Sequence, residues 1–292
     1  MRAERLATGL AWPEGPSVLA DGSVAFVQTY RSEVSVLVPG AGVRRYAFTG
    51  GGPNATAPGA RGRLFVTQNG GVVGPWRAEA RREPCVQVID AAGHVETFAA
   101  TAGGRPMRAP NDLAFGADGR LYVTDPGRFD PVERPDPGFV YALTPDGDAE
   151  VIAELGPVYP NGIIAAPDGD GVIWTESYTR RVVRRAADGT ITTLHTFPDP
   201  RALVDGLCAA ADGTLFVTGV GSGSVHVLTA AGVEHDRLGG PTAPTNCAFD
   251  GPALYVTDGG RLGDSTTAHY GGALWRLTGV PGAQGAGLQP GF

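Results

Sequence analysis

Lysine is absent from this 292-residue chain; all 23 basic residues are arginine, set against 30 acidic ones for a net charge of -7. Schiff-base chemistry on a lysine amine is thereby excluded. Basic residues never run longer than two in succession, so a nucleic-acid partner is not expected. Cysteine is scarce. Cys85, Cys208 and Cys247 are odd in number and form no CxxC pair, which argues against a disulfide framework or a thiolate metal site. No apolar run reaches the 18 residues a spanning helix needs, and the N-terminal MRAERLATGLAWPEGP has no stretch apolar enough for a signal peptide. A soluble cytoplasmic protein without a membrane partner is the expectation.

What the chain does contain is turn residues: 45 glycines and 24 prolines, nearly a quarter of the total. Without a Gly-X-Y period this richness points to an all-β architecture. A turn followed by a β-run recurs as DGSVAFVQ from Asp21, RGRLFVTQ from Arg61, DGRLYVTD from Asp118, DGDGVIWTE from Asp168 and DGTLFVTG from Asp212. A sixth copy, GPALYVTD from Gly251, lacks the Asp. A second pair of alternating runs follows each, such as FVYALTPDGDAEVIAE or RVVRRAADGTITTLH, and reads as a hairpin. The marker glycines Gly22, Gly62, Gly119, Gly169 and Gly213 are spaced 40, 57, 50 and 44 residues apart. Four short strands per unit at that period predict a six-bladed β-propeller, one domain over residues 1–292. Inserts near Gly70 to Arg82 and near Arg128 to Pro137 lengthen the second and third units. A pair of β-sandwiches would not explain the sixfold phase.

Eight residues before the marker glycine stand Glu14, Asn54, Asn111, Asn161 and Asp205; in the sixth unit, where the turn is shorter, Asn246 takes the place. Innermost propeller strands run along the central channel, so these six should meet at one mouth. The ends of the second strands, Gln28, Gln68, Asp125, Glu176, Gly219 and Asp258, should form a wider ring around them. Oxygen side chains converging without His or Cys suit a hard divalent cation, calcium, magnesium or manganese. Asx residues also cap turns through their own backbone, which is the competing reading of each position alone. Glu14 is not a usual turn former, and an unpaired carboxylate in a narrow channel is costly.

Nucleophilic catalysis by a side chain finds no GxSxG elbow, and the five histidines are scattered. His94, His226 and His235 fall on outer strands, where solvent-facing structural roles are expected, whereas His269 lies in the last insert within reach of the mouth. Cys208 and Cys247 begin inner strands and read as small apolar core residues. Trp12 either lines the pocket or staples the closing strand.

The segments WPEGPSVLADGSVAFVQ, PNDLAFGADGRLYVTDP, YPNGIIAAPDGDGVIWTES, VDGLCAAADGTLFVTG and PTNCAFDGPALYVTD, in this order and spacing, resemble the SMP-30/gluconolactonase family of regucalcin-like lactonases. The resemblance implies a six-bladed propeller binding one divalent cation, calcium or else Mg, Mn, Zn or Fe, and hydrolysis of a lactone. It places Glu14, Asn161 and Asp205 on the family's metal ligands, Asp205 also on the general base, and Asn111 on a substrate or metal-shell contact. Asn54 and Asn246 are additional ring candidates. Asp125 and Glu176 are further substrate-binding candidates and the reserve acid or base. Family members acting on sugar lactones often carry an arginine two residues before the Asn111 position; here Ala109 stands there, with Arg108 one place further back. A small-molecule substrate is expected. A metal-dependent isomerase, dehydratase or cyclase, or a non-catalytic binding propeller, are the alternatives.

Overall fold

The computed structural model describes residues 1–73, 76–260, 271–280 and 291–292. Its strands form six four-stranded antiparallel sheets arranged as the blades of a propeller. Blade I comprises Pro13–Val18, Val24–Gln28, Glu33–Val38 and Gly42–Phe48; blade II comprises Pro53–Pro58, Leu64–Gln68, Cys85–Ile89 and Val95–Ala99. Blade III runs from Leu113–Phe115 through Leu121–Asp125 and Phe139–Leu143 to Ala149–Glu154. Blade IV runs from Pro160–Ala165 through Val172–Glu176 and Arg181–Arg185 to Ile191–Thr196. Blade V contains Val204–Ala209, Leu215–Gly219, Ser224–Leu228 and Glu234–Leu238. Blade VI closes the ring from both chain ends: Pro244–Asp250, Ala253–Asp258 and Gly272–Thr278 are completed by the N-terminal strand Arg2–Leu10.

The Asp-Gly turns do what their chemistry dictates. Asp21 and Asp212 accept the main-chain N–H two residues on, at Ser23 and Thr214, while Gly22 and Gly213 take left-handed φ of 79° and 87° that other residues adopt only at a cost. Small hairpins at Val72–Val73 with Trp76–Arg77, and at Thr101–Ala102 with Arg105–Pro106, account for the first insert and a blade II–III connection. Among the described residues no helix is long and apolar enough to cross a membrane.

The core is divided into six inter-blade layers. Val27, Val34 and Val66 pack blade I on II, Phe65, Phe115 and Tyr141 pack II on III, and Trp174 with Val140 packs III on IV. Val182 with Leu207 joins IV to V, Phe216 with Leu254 joins V to VI, and Phe26 with Leu274 joins VI to I. Each fully buried side chain of this size contributes about 1.5–3 kcal/mol, and the aromatic and β-branched runs read in the sequence are the ones spent here. Cys208 and Cys247 are buried in the V–VI layer with their sulfurs 3.3 Å apart.

Candidate active site at the channel mouth

The inner strands enter the channel in a common register. Pro13, Pro53, Pro160, Val204 and Pro244 pair with Gln28, Gln68, Glu176, Gly219 and Asp258, the last residues of the neighbouring second strands. The residue after each paired position is therefore the ring residue. This places Glu14, Asn54, Asn161 and Asp205 as the repeat predicted, with Asn111 in blade III. In blade VI it selects Thr245 rather than Asn246. A recurring threonine confirms the register: the hydroxyls of Thr67, Thr124, Thr175 and Thr218, on second strands, donate to the carbonyls of Asn111, Asn161, Asp205 and Thr245 in the next blade. Asn246 sits one residue deeper, because the shorter turn shifted the count.

That deeper layer holds Gly15, Ala55, Asp112, Gly162, Gly206 and Asn246. Asn246 Nδ2 donates across the channel to Asp112 Oδ2 at 3.2 Å, and the same oxygen accepts the N–H of Ile163. The small residues leave room for that bridge: a Cβ on Gly206 would lie 2.1 Å from Asn246 Cγ, and one on Gly162 2.6 Å from Gly206 Cα. Gly206→Ala should accordingly cost about 1–3 kcal/mol, the usual price of overpacking, read as a lowered denaturant midpoint at unchanged m-value. An unchanged midpoint would mean that this layer relaxes freely. A cavity of about 380 Å³ borders this layer, lined by Ser17, Thr56, Asp112 and Asn246 together with apolar residues such as Phe115 and Phe249.

At the ring itself the electrostatics are unusual. Glu14 and Asp205 are 3% and 9% exposed. Burial, and then their charge neighbours, push both carboxyls well above the ordinary range: Asp205 and Asp112 act on Glu14, and Asp112 acts on Asp205. Asp112 is raised to about 6, chiefly by burial. Opposing this, Gly15 N–H and Thr245 relieve Glu14, and the Asn161 amide relieves Asp205. Asn161 Nδ2 also donates to Ser177 Oγ at 3.0 Å, and Ser177 Oγ donates to Val204 O, which fixes the amide plane. Asn111 hydrogen-bonds the Tyr159 hydroxyl, and Tyr159 lies close enough to Asp205 and Glu14 to feel both charges.

Among the described residues, no cationic group is a named influence on Glu14, Asp112 or Asp205. Among the described residues no three Asp, Glu, His or Cys side chains form a ligand cluster by themselves. The donor set at the ring is instead two carboxylates with amide and hydroxyl oxygens. That chemistry fits a hard cation, which would supply the missing positive charge.

The wider ring differs from expectation. Gln28, Gln68, Asp125, Glu176 and Asp258 are at most 3% exposed, and their polar atoms are spent on loops. Asp125 accepts the N–H groups of Arg108, Ala109 and Gly127 and the Tyr141 hydroxyl. Asp258 likewise holds Thr242, Ala243 and Gly260 N–H and the Trp275 indole. Glu176 takes Thr179 and Arg181. Buried loop N–H groups must find acceptors, and the strand-end side chains provide them. Blade V has no side chain at Gly219; Ser222 Oγ and His226 Nε2 fill that space, with His226 Nδ1 bonded to Glu234 at 2.7 Å. His226 is thus fully buried rather than solvent-facing. His269 lies outside the described residues.

Sequence reasoning missed Asp112, Tyr159, Tyr30 and the threonine ladder. The last was signalled by Thr67, Thr124, Thr175, Thr218 and Thr257 at one place in five second strands. Tyr159 and Trp12 carried a subtler sign: each precedes the proline that precedes a ring residue.

Fold and mouth together define a six-bladed propeller with an oxygen-lined axial site. Residues 12–259 match the SMP-30/Gluconolactonase/LRE-like region, and the chain belongs to that family. A gluconolactonase from Zymomonas mobilis subsp. mobilis is 27% identical over 177 residues, 56% of this chain and 49% of the relative. The chain thus spans about half the length of the curated relative it matches. The calcium-binding protein regucalcin from Agrobacterium tumefaciens superposes with a TM-score of 0.80 at 20% identity, covering 100% of this chain and 97% of that one. A gluconolactonase from Xanthomonas campestris gives 0.76 at 23% identity, covering 95% and 89%.

Proposed function

We propose that this protein is a metal-dependent hydrolase that opens a lactone, with Glu14, Asn161 and Asp205 holding one divalent cation. The carrying observation is the pair of buried carboxylates, Glu14 and Asp205, close enough for Asp205 to act on Glu14 and with no cationic partner among the described residues. Family membership and the gluconolactonase relative support the ester-opening chemistry. When bound, the cation supplies polarisation of the ester carbonyl and offsets the charge that develops on its oxygen. Asp205 takes a proton from the attacking water, a task an amide cannot perform. Tyr159, whose hydroxyl is pushed far up by burial and by the neighbouring Tyr178 and Asp205, stays protonated and orients Asn111 at the edge of the site.

The test is a pH-indicator screen of a lactone panel, with Ca²⁺, Mg²⁺, Mn²⁺, Zn²⁺ or Fe²⁺ added in turn to chelator-treated protein. Acid release that depends on one of these cations is the expected result. Absence of acid release with every cation, while the substrate is still consumed, would move the reaction to an isomerisation or dehydration.

A further inference from the structure

Each inner strand is led into the channel by one residue that comes before the ring of oxygens. The six positions preceding the channel-entry residue are Trp12, Gly52, Ala109, Tyr159, Leu203 and Ala243. None carries a charge. Only the indole and the phenol have a polar atom, and the phenol is engaged with Asn111. Ala109 is 8% exposed, and the Arg108 guanidinium pairs with Asp136, which also acts on Tyr178.

Two of these rim residues are held in a costly backbone. Trp12 and Tyr159 have φ of 52° and 57°, a left-handed conformation rare for bulky side chains and further disfavoured before proline. Strain of this kind persists only where surrounding structure enforces it. Both aromatic residues stand two positions before a ring residue, Glu14 and Asn161, and both lead into aromatic groups. Trp12 lies 5.7 Å from Tyr30, which lies 4.8 Å from Trp76. Tyr159 lies 4.9 Å from Tyr178 and 5.2 Å from Phe129. Each group is tied to the ring through the chain, Trp12 by Pro13 to Glu14 and Tyr159 by Pro160 to Asn161. Trp12, Tyr30, Trp76 and Phe129 remain partly exposed.

From the two aromatic groups flanking the oxygen ring, we infer that the substrate is a cyclic ester fused to, or bearing, a flat aromatic ring. The polar end enters the ring of oxygens, and the body lies against the aromatic faces. A polyhydroxylated lactone presents hydroxyls rather than a ring face to these aromatic surfaces, and each hydroxyl left unpaired there weakens its binding. An aromatic body gains stacking contacts of about 0.5–1.5 kcal/mol each beyond its area burial. This inference rests on the proposed lactone chemistry for its ester and on the rim alone for its ring.

The experiment separates the two. Dihydrocoumarin, gluconolactone and δ-valerolactone share a six-membered ester ring; because dihydrocoumarin releases a phenol and the others an alcohol, every kcat/KM is divided by the rate constant for hydroxide opening of the same lactone before comparison. Metal-loaded protein should show a kcat/KM for dihydrocoumarin at least on the order of tenfold above that for gluconolactone. Trp12→Leu should lower the ratio of dihydrocoumarin to δ-valerolactone kcat/KM, each measured in the same variant, by most of its parent value, and Trp12→Phe should restore that ratio. Binding is read independently by quenching of intrinsic fluorescence with the lactam of dihydrocoumarin, which is not opened on the assay timescale. Gluconolactone turned over faster than dihydrocoumarin, or no quenching by the lactam, overturns the inference. Quenching by the lactam with no lactone opened upholds the aromatic seat and overturns the hydrolase reading instead.

Discussion

Asp205→Asn, assayed with metal occupancy confirmed, should lose kcat by a factor on the order of 10²–10⁴, the range for losing a positioned base. Asn161→Asp should keep measurable turnover and bind metal at least as tightly. The contrast follows from protonation. Both substitutions preserve size and an oxygen ligand, but only the first removes an atom that can accept a proton from water. Burial and Asp112 raise the Asp205 carboxyl well above its ordinary 3.8 in the metal-free protein, and a cation bound beside it would oppose that rise and keep the carboxylate charged. An empty site would mimic a lost base, so metal content has to be measured on each variant. Near-normal kcat in metal-loaded Asp205→Asn would place the base elsewhere. Asp112, buried beneath the ring and raised to about 6, is then the carboxylate to replace. Asp125 and Glu176 come after it, since loop N–H groups, Tyr141, Thr179 and Arg181 already occupy their oxygens.

The blade count and the axial ring were legible because both follow from period. A DG-x-LYVTD unit repeats the same turn and the same alternation, and a fixed offset from its glycine can be counted without seeing the fold. Asn246 shows where counting stops. The blade VI turn is shorter, and only the pairing of Pro244 with Asp258 shows that Thr245 stands at ring level. The side-chain direction at strand ends was equally hidden. Gln28, Gln68, Asp125, Glu176 and Asp258 keep phase with the repeat, but loop N–H groups claim them, and loop conformation has no period. Asp112 was masked by standing next to Asn111, since in the other blades that place is glycine, alanine or the miscounted Asn246. Tyr159 and Trp12 were visible as aromatic–Pro–oxygen triplets; their left-handed backbone, which turns them to the rim, was not.

Glu14→Gln should raise the stability of the metal-free protein and abolish the stabilisation produced by added cation. In the metal-free fold Glu14 is buried beside Asp205 and Asp112 without a cation, so its carboxyl titrates well above the ordinary 4.5. A folded-state value raised above the unfolded one contributes stability that is fully present below the unfolded value. That contribution is lost as pH rises through the folded one. Metal-free protein should therefore weaken steadily as pH rises above about 4.5, and Glu14→Gln should flatten that decline, gaining about 1–2 kcal/mol at neutral pH, a few degrees in Tm. Cation has the opposite consequence. A ligand binding only the folded state adds about 2.7 kcal/mol at a hundredfold excess over Kd, and the variant, with one carboxylate fewer, forgoes most of it. With Ca²⁺ or Mn²⁺ present the order of the two melting curves should reverse, the parent becoming the more stable. Parallel curves, with Glu14→Gln showing the same cation-induced shift as the parent, would take the metal away from the ring. A variant less stable than the parent even without cation would instead mean that Glu14 is satisfied by Gly15 and Thr245 alone, and that its burial carries no latent demand for a positive charge.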